Sequence, residues 1–175
     1  RSGRCLDDEA AADLERTLED RRQRVEAALR RLVSSGEAPA VEAAVADSLF
    51  APAKRLRPIL SLLVAEVLKG NPEAVLPAGC AIEMVHTASL ILDDLPCMDD
   101  AATRRGRPTC HVAHGEATAV LAATALFGSY ATSVFESLRE ANVGPDEAYL
   151  LDFSVFNPAV IVGVLPAWFR FPSGG

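Results

Sequence analysis

The residues of this chain best suited to chemistry are four aspartates grouped around a proline. They form the segment Asp93-Asp94-Leu95-Pro96-Cys97-Met98-Asp99-Asp100, which follows an apolar stretch. If that stretch is a helix, carboxylates at its C-terminal end are unfavourable by up to ~1 kcal/mol each, because the end already carries partial negative charge. Burying them without partners would cost far more. We therefore expect positive charge beside them.

The spacing within this segment favours a metal site. On an unbroken helix Asp93 and Asp99, six positions apart, would point away from each other. A break at Pro96 could bring Asp99 back to the face of Asp93. Two or three carboxylates on one face suit Mg²⁺, which usually also takes phosphate oxygens from a substrate. The alternative is a solvated acidic loop.

Basic residues on either side of this segment suggest that the substrates carry diphosphates. Arg104 and Arg105 follow the aspartates, and Lys54 and Arg57 lie upstream in a turn before a helix start. Arginine binds phosphate with its planar fork and lysine as a point charge. A metal for one diphosphate and a basic cluster for another would serve an enzyme with two diphosphate substrates. Ordinary surface charge at helix ends is the alternative for the basic residues.

Three motifs in order resemble those of the trans-isoprenyl diphosphate synthases, the farnesyl and geranylgeranyl diphosphate synthases and their relatives. They are Lys54-Arg55-Leu56-Arg57-Pro58, the segment from Glu83 to Asp99, and the segment from Arg104 to Thr109. The aspartate-rich motif has the long form D-D-x-x-x-x-D. The resemblance covers roughly residues 10 to 140, the N-terminal half of such an enzyme. It implies an all-α, antiparallel helix bundle of isoprenoid-synthase type, here truncated.

The resemblance also implies a reaction and its metal. The allylic diphosphate ionises, the double bond of isopentenyl diphosphate attacks the carbocation, and a proton is lost. Asp93 and Asp99 would be the Mg²⁺ ligands that hold the allylic diphosphate, with Asp94 in support. The metal would neutralise the departing diphosphate, a Lewis-acid role worth several kcal/mol.

Substrate contacts follow from the same resemblance. Arg104 would also contact the allylic diphosphate, and the isopentenyl diphosphate pocket would comprise Lys54, Arg57, His86 and Arg105. A lone histidine on an apolar helix is usually a core residue, but His86 stands seven positions before Asp93, as in the family. His111 and His114 match no functional position.

Product length is predicted from two small residues. The resemblance implies that the residues five and four positions before the first aspartate, here Ala88 and Ser89, form the floor of the pocket for the growing chain. A bulky aromatic residue there would block elongation. With Ala88 the pocket should extend toward Met84, so we expect geranylgeranyl rather than farnesyl diphosphate.

The chain departs from the family pattern in three places. Pro52 and Ala53 stand where glycines usually precede the lysine, and Ala123-Thr124 replaces a common Gly-Asp. No second D-D-x-x-D occurs downstream of residue 100. Two hypotheses therefore remain. The chain is an incomplete prenyltransferase similar to geranylgeranyl diphosphate synthase, or it is a non-catalytic small or regulatory subunit. In either case a homo- or heterodimer with a prenyl diphosphate synthase is expected.

The elements that must position these residues are predicted to be five helices. An apolar stripe from Leu14 to Leu32 indicates the first, which Gly36 would end. The others are expected over residues 39–50, from Pro58 to Gly70, over residues 77–95 and over residues 115–140, with a polar loop at 103–109. Residues 1–145 would form the helical domain and residues 146–175 an atypical tail.

Composition excludes several other functions. With 24 acidic and 17 basic residues the net charge is −7, which argues against nucleic-acid binding. The four cysteines lack zinc-ligand spacing. The apolar run from Phe153 to Phe169 is too short for a membrane span and contains prolines, so no transmembrane segment is predicted. We expect a cytoplasmic protein, or alternatively a plastid protein after removal of a transit peptide.

Overall fold

The computed structural model describes residues 8–33 and 38–140, and within them the chain is predominantly helical. The helices are α1 Asp8–Leu32, α2 Pro39–Leu49, α3 Leu56–Val67, α4 Pro72–Asp93, α5 Cys110–His114 and α6 Glu116–Glu140. Two short strands, β1 Thr103–Arg104 and β2 Arg107–Pro108, lie between α4 and α5. The predicted all-α class is confirmed. The predicted helix end at Gly36, the run Phe153–Phe169 and the tail 146–175 lie outside the described residues.

Helix α4 is the centre of the bundle. It packs most extensively against α6, then against α3, and also contacts α1 and α2. Cys80, Met84 and Ala88 of α4 are fully buried, as are Leu62 of α3 and Leu126 of α6. Because α4 is apolar on several faces, it can be covered from several sides, as its sequence suggested.

The start of α4 differs from the prediction. The helix begins at Pro72 rather than Pro77, and the side chain of Asn71 accepts a hydrogen bond from the N–H of Glu73 at 3.0 Å. This is an N-terminal cap, and proline is well suited to the first helical position. Pro77 lies inside the helix, where it lacks only the N–H that would bond one turn back. The sequence contains two prolines that could start this helix, and the cap at Asn71 selects the first.

The predicted polar loop is a two-stranded antiparallel hairpin. Thr103 pairs with Pro108, and Arg104 pairs with Arg107. Between the strands, Arg105 and Gly106 both have positive φ, +53° and +76°. Positive φ at both central residues is the conformation of a type I′ turn, whose twist matches that of the flanking strands. The short helix α5, which follows the hairpin, was not predicted either.

Two helices are long and apolar enough to cross a membrane by length and composition alone, α4 and α6. The two pack against each other in the bundle, and α4 is also covered by α3 and α1. Core helices of globular proteins can have the same length and apolar composition.

Candidate active site

The aspartate-rich segment folds back on the end of α4. After Asp93 the chain turns, and the N–H of Asp99 donates to the carbonyl oxygen of Asp93 at 2.9 Å. The carbonyl of Leu95 accepts from Met98 and Asp100 at 2.9 and 3.1 Å, which closes the turn around Pro96. The turn therefore places Asp99 next to Asp93, six positions away in sequence. This backbone contact is the return of Asp99 that a break at Pro96 was expected to allow.

The carboxylates of this turn are exposed, with the exception of Asp94. Asp93, Asp99 and Asp100 all face solvent. Within residues 8–33 and 38–140 no group of three or more carboxylate, histidine or cysteine side chains could by itself hold a metal ion. Asp93 and Asp99 are joined through their backbones, and exposed carboxylates are hard oxygen donors that suit Mg²⁺ when phosphate oxygens and water complete its coordination. The donor set therefore fits a metal that is shared with a substrate.

Asp94 has a different role from its neighbour. It is buried, and it receives three hydrogen bonds from the guanidinium of Arg104, between 2.7 and 3.0 Å. Hydrogen bonding to Asp94 raises the pKa of Arg104, and the charges of Asp93 and Asp99 raise it further. The cation expected beside the aspartates is thus Arg104. Asp94 holds the hairpin against the end of α4, and its oxygens are engaged by protein.

The hairpin carries the next arginine at its tip. Arg105 lies in the turn with φ +53° and is exposed. The base of the hairpin is fixed by Thr109, whose buried hydroxyl donates to the carbonyl of Ala101 at 2.7 Å. Arg104 and Arg105 are consecutive, yet Arg104 is bound to Asp94 while Arg105 extends into solvent.

The lysine–arginine motif is built around a buried arginine. Arg55 caps α3 in the left-handed conformation, with φ +51°, and is 3% exposed. Its guanidinium bonds to Glu26 of α1 at 2.7 Å and to the carbonyl of Leu49 at 2.6 Å. Lys54 and Arg57, the predicted substrate contacts, are exposed on either side of it. The motif therefore contains one internal cation between two external ones.

Two carboxylates of this network were missed by the sequence analysis. Glu26 pairs with Arg55, and Glu83 of α4 lies 3.5 Å from Arg55 and 3.8 Å from Arg57. Glu83 is only 4% exposed. A glutamate among the apolar residues of a central helix signals a buried partner of opposite charge, and that signal was available in the sequence.

His86 lies within the electrostatic influence of basic groups from α3 and from the hairpin. It is partly buried, and burial lowers its pKa from the ordinary value of 6.5. The charge of Arg57 lowers the pKa further, Glu83 opposes this, and Arg105 and Arg104 add to the lowering. His86 is therefore neutral at neutral pH, within electrostatic reach of three guanidinium groups. Of the predicted isopentenyl diphosphate contacts, Arg57 and Arg105 act on His86 electrostatically, and so does Arg104, which was assigned to the allylic diphosphate.

The two predicted product-length residues lie on different faces of α4. Ala88 is fully buried in the helical core, in the same cluster as Met84. Ser89 is partly buried, and its hydroxyl donates to the carbonyl of His86 at 2.9 Å. Four residues before Asp93, Ser89 lies on the same side of the helix as that aspartate. Of the two predicted product-length residues, only Ser89 therefore lies on the side of α4 that carries Asp93.

The other two histidines bond to neighbouring side chains, and the cysteines within the described residues are free thiols. His114 pairs with Asp47 of α2 at 2.8 Å, and His111 bonds Thr109 at 3.2 Å. Cys80 and Cys110 are buried free thiols, and burial raises the pKa of Cys80 to about 12. Cys97 is a free thiol exposed in the aspartate-rich turn. His111 and His114, which match no functional position of the family, thus have partners within the protein.

A helical bundle whose central helix ends in an aspartate-rich turn, beside a cluster of arginines, defines the isoprenoid-synthase class. The chain belongs to the polyprenyl synthetase family, whose model matches residues 39–149.

Among curated proteins, the chain is 46% identical over 124 residues to geranylgeranyl pyrophosphate synthase 3, chloroplastic, of Arabidopsis thaliana, covering 71% of this chain and 34% of the relative. It is 43% identical over 137 residues to farnesyl diphosphate synthase of Geobacillus stearothermophilus, covering 78% and 46%.

Solved structures agree with this assignment. A geranyltransferase from Legionella pneumophila superposes with a TM-score of 0.67 at 34% identity, covering 72% of this chain and 45% of that one. A geranyltranstransferase from Thermotoga maritima gives 0.65 at 37% identity, covering 69% and 45%. The chain thus spans less than half the length of each of these relatives.

Proposed function

We propose that this chain carries the allylic-diphosphate and isopentenyl-diphosphate binding sites of a prenyltransferase of isoprenoid biosynthesis. The observation that carries this proposal is the return of Asp99 to Asp93, directly beside the arginine held by Asp94. Relatives named geranylgeranyl and farnesyl diphosphate synthases support it. Condensation of isopentenyl diphosphate with an allylic diphosphate is the reaction these sites would serve.

At the allylic site, Asp93 and Asp99 would hold Mg²⁺ through their exposed carboxylates. When bound, the metal supplies charge neutralisation for a departing diphosphate. Arg104 is oriented by its hydrogen bonds to Asp94, and its positive charge lies within the electrostatic influence of Asp93 and Asp99. An arginine fixed in advance stabilises developing negative charge without having to reorganise during the reaction.

At the second site, Lys54, Arg57 and Arg105 would bind the diphosphate of isopentenyl diphosphate. Neutral His86 lies among the arginines, where it can donate one hydrogen bond without adding charge. Three cations around one diphosphate match its charge. The neutral histidine would add a directional hydrogen bond and no further charge.

The alternative is a non-catalytic small or regulatory subunit that pairs with a complete prenyl diphosphate synthase. A relative whose name denotes one subunit of a heterodimeric synthase supports pairing of this kind. This relative, heterodimeric geranylgeranyl pyrophosphate synthase large subunit 2, from Arabidopsis thaliana, is 41% identical over 122 residues. A homodimer or a heterodimer with a complete synthase is therefore the proposed assembly.

The location proposed from the sequence was cytoplasmic, with a plastid as the alternative. Relatives named chloroplastic, such as geranylgeranyl pyrophosphate synthases 3 and 11 of Arabidopsis thaliana, support the plastid alternative. The bacterial relatives have no such compartment, so a fusion of the full natural gene product to a fluorescent protein is the direct test.

Metal-dependent binding tests the proposed function. In titration calorimetry, dimethylallyl diphosphate should bind the chain more tightly with Mg²⁺ present than without it, because the metal bridges the aspartates to the diphosphate. Asp93→Asn should remove this enhancement, whereas Asp47→Asn, an exposed aspartate on α2, should preserve it. Equal affinity with and without Mg²⁺ would exclude the bridging role of Asp93 and Asp99.

Activity assays distinguish the two candidates. Supplied with dimethylallyl and isopentenyl diphosphates, the chain alone should form no detectable prenyl product, since leaving-group charge must be stabilised from both sides. Adding the chain to a complete geranylgeranyl diphosphate synthase should change that enzyme's rate or product only if the subunit hypothesis holds. Robust turnover by the chain alone would contradict the proposed incompleteness.

A further inference from the structure

A buried carboxylate lies beneath the proposed isopentenyl diphosphate pocket. Glu83 precedes His86 by one helical turn and faces two arginines with its two oxygens. Oε2 lies 3.5 Å from Nη1 of Arg55, and Oε1 lies 3.8 Å from Nη1 of Arg57. A negative charge so close to an anion-binding pocket opposes anion binding by Coulomb's law. Its presence there therefore calls for a role that outweighs this effect.

Neutralising the buried Arg55 does not require Glu83. Arg55 already makes a short ion pair with Glu26 at 2.7 Å and a hydrogen bond to the carbonyl of Leu49 at 2.6 Å. Its contact with Glu83, at 3.5 Å, is at the limit of hydrogen-bond distance. The main partner of Arg55 is thus Glu26, and Glu83 remains available to the second arginine.

Glu83 also contacts Arg57. The side chain of Arg57 is 50% exposed, and its contact with Glu83 is an ion pair too long for a good hydrogen bond. Such a contact restricts the guanidinium while leaving its N–H donors free for a ligand. Arginine carries about 2 kcal/mol of rotamer entropy, so restriction before binding lowers the cost of ordering the side chain on the ligand.

We propose that Glu83 is a positioning residue, which holds Arg57 at the rim of the pocket, oriented for the diphosphate of isopentenyl diphosphate. This inference rests on the proposed function for the identity of the ligand. Arg55 contacts Glu83 from the buried side, so the carboxylate is held between an internal arginine and an external one. Arg55 and Arg57, two residues apart in sequence, contact different oxygens of this carboxylate.

The direction in which one substitution changes the binding affinity tests this proposal. Glu83→Gln keeps the shape of the side chain but removes its charge, so electrostatics alone would strengthen binding of an anion. Loss of positioning predicts the opposite, a weakening of isopentenyl diphosphate binding by about 3- to 10-fold, since ordering one long side chain costs about 0.5–1.5 kcal/mol. Titration calorimetry on the full chain measures this affinity. Unchanged or tighter binding would overturn the proposal.

Glu26→Gln is the matched control. It removes the short ion pair of Arg55 without touching the contact between Glu83 and Arg57. We expect a lower unfolding temperature and an isopentenyl diphosphate affinity close to that of the unsubstituted chain, because Arg57 keeps its contact with Glu83. If Glu26→Gln weakens binding as much as Glu83→Gln does, the effect passes through Arg55 and the positioning role of Glu83 is overturned.

A measurement without ligand separates this inference from the proposed function. The ¹⁵N relaxation of the Arg57 Nε–H group should show greater mobility in Glu83→Gln and no change in Glu26→Gln. Unchanged mobility in Glu83→Gln would overturn the positioning role, whatever the binding data show. If Arg57 loosens as expected but the unsubstituted chain binds no isopentenyl diphosphate, the proposed function fails while the orientation of Arg57 by Glu83 is supported.

Discussion

Adjacent aspartates at the end of α4 do different work, and burial separates them. Asp93 is exposed, whereas Asp94 is buried and bound by Arg104 through three hydrogen bonds. A charge-assisted, bidentate contact is among the stronger interactions that a side chain makes. The same residue type therefore serves as a proposed metal ligand at one position and as a structural anchor at the next.

This difference predicts opposite effects of two similar substitutions. Asp94→Asn should lower the free energy of unfolding by about 2 kcal/mol, because it weakens a hydrogen-bonded ion pair that is buried on one side. Asp93→Asn should change it by less than about 0.5 kcal/mol, since Asp93 is exposed. Urea denaturation followed by circular dichroism measures both. Equal destabilisation by the two substitutions would show that Asp94 is not the anchor of the hairpin.

His86 predicts a dependence of stability on pH. Because its pKa is lowered in the folded chain, the unfolded chain binds protons more readily, and stability falls as pH decreases through 6.5 towards the folded pKa. Below the folded pKa this contribution levels off, and well above 6.5 it is absent.

The measurement is the free energy of unfolding at pH 7.5 and at pH 5.5, compared with the same difference in His86→Gln. The loss on acidification should be smaller in His86→Gln, because the other titrating groups are common to both chains. A histidine NMR titration should place the His86 pKa below 6.5. A value above 6.5 would contradict the arrangement of arginines around it.

At the scale of elements, the close approach of α3 and α4 sets the geometry of the basic cluster. At Gly79 an added Cβ would lie 3.1 Å from Cα and 3.2 Å from Cβ of Pro58. Pro58 is rigid and lies in the first turn of α3, next to Arg57. The absence of a side chain at position 79 thus lets α3 lie close enough for Arg57 to reach Glu83.

We therefore expect Gly79→Ala to destabilise the chain. Overpacking of this kind costs about 1–3 kcal/mol, and the better helix propensity of alanine returns about 0.5–1 kcal/mol, so the net loss should be about 1 kcal/mol. Gly128→Ala on α6 is the control, because an added Cβ there meets no atom within 4 Å. It should stabilise the chain by about 0.5–1 kcal/mol. Thermal unfolding compares the two, and stabilisation by both would show that the α3–α4 contact is loose.

For the whole molecule, the question of product length depends on which face of α4 lines the chain-binding region. Ala88 faces the core that α4 shares with its neighbours, and Ser89 lies on the side of His86 and Asp93. The expectation from sequence treated them alike. Because Ser89 shares the side of Asp93, we propose that it is the residue that a growing prenyl chain would meet.

A chimera tests this choice. Residues 1–140 joined to the C-terminal half of a farnesyl-forming relative should give longer products with Ser89 than with Ser89→Phe, because the aromatic ring would occupy the path of the chain. Ala88→Phe should instead lower the unfolding temperature, since a fully buried position tolerates little added volume. Chromatography of the products measures the chain length, and thermal unfolding measures the stability of each chimera. A stable Ala88→Phe chimera with shortened products would restore Ala88 as the floor.

Prediction from sequence succeeded where the signal was local. The apolar stripe from Leu14 to Leu32 predicted a helix, and this stripe ends where α1 ends. Pro96 predicted a turn that returns Asp99 to Asp93. Prediction failed at the start of α4, where two prolines could begin the helix and the cap at Asn71 selects the first. It also missed the hairpin, because only Gly106 signals a turn whose other central residue, Arg105, adopts positive φ without being glycine.

The amino-acid sequence by itself determined the all-α class, the family motifs and the set of charged residues from which the site is built. These properties depend on residue types and short spacings, which local backbone preference and burial pattern encode. Only the tertiary structure decided that Asp94 binds Arg104, that Arg55 is internal and that Ala88 and Ser89 face different neighbours. Each of these depends on which helix covers which face. A buried charge is tolerated only where a distant part of the chain supplies a partner of opposite charge.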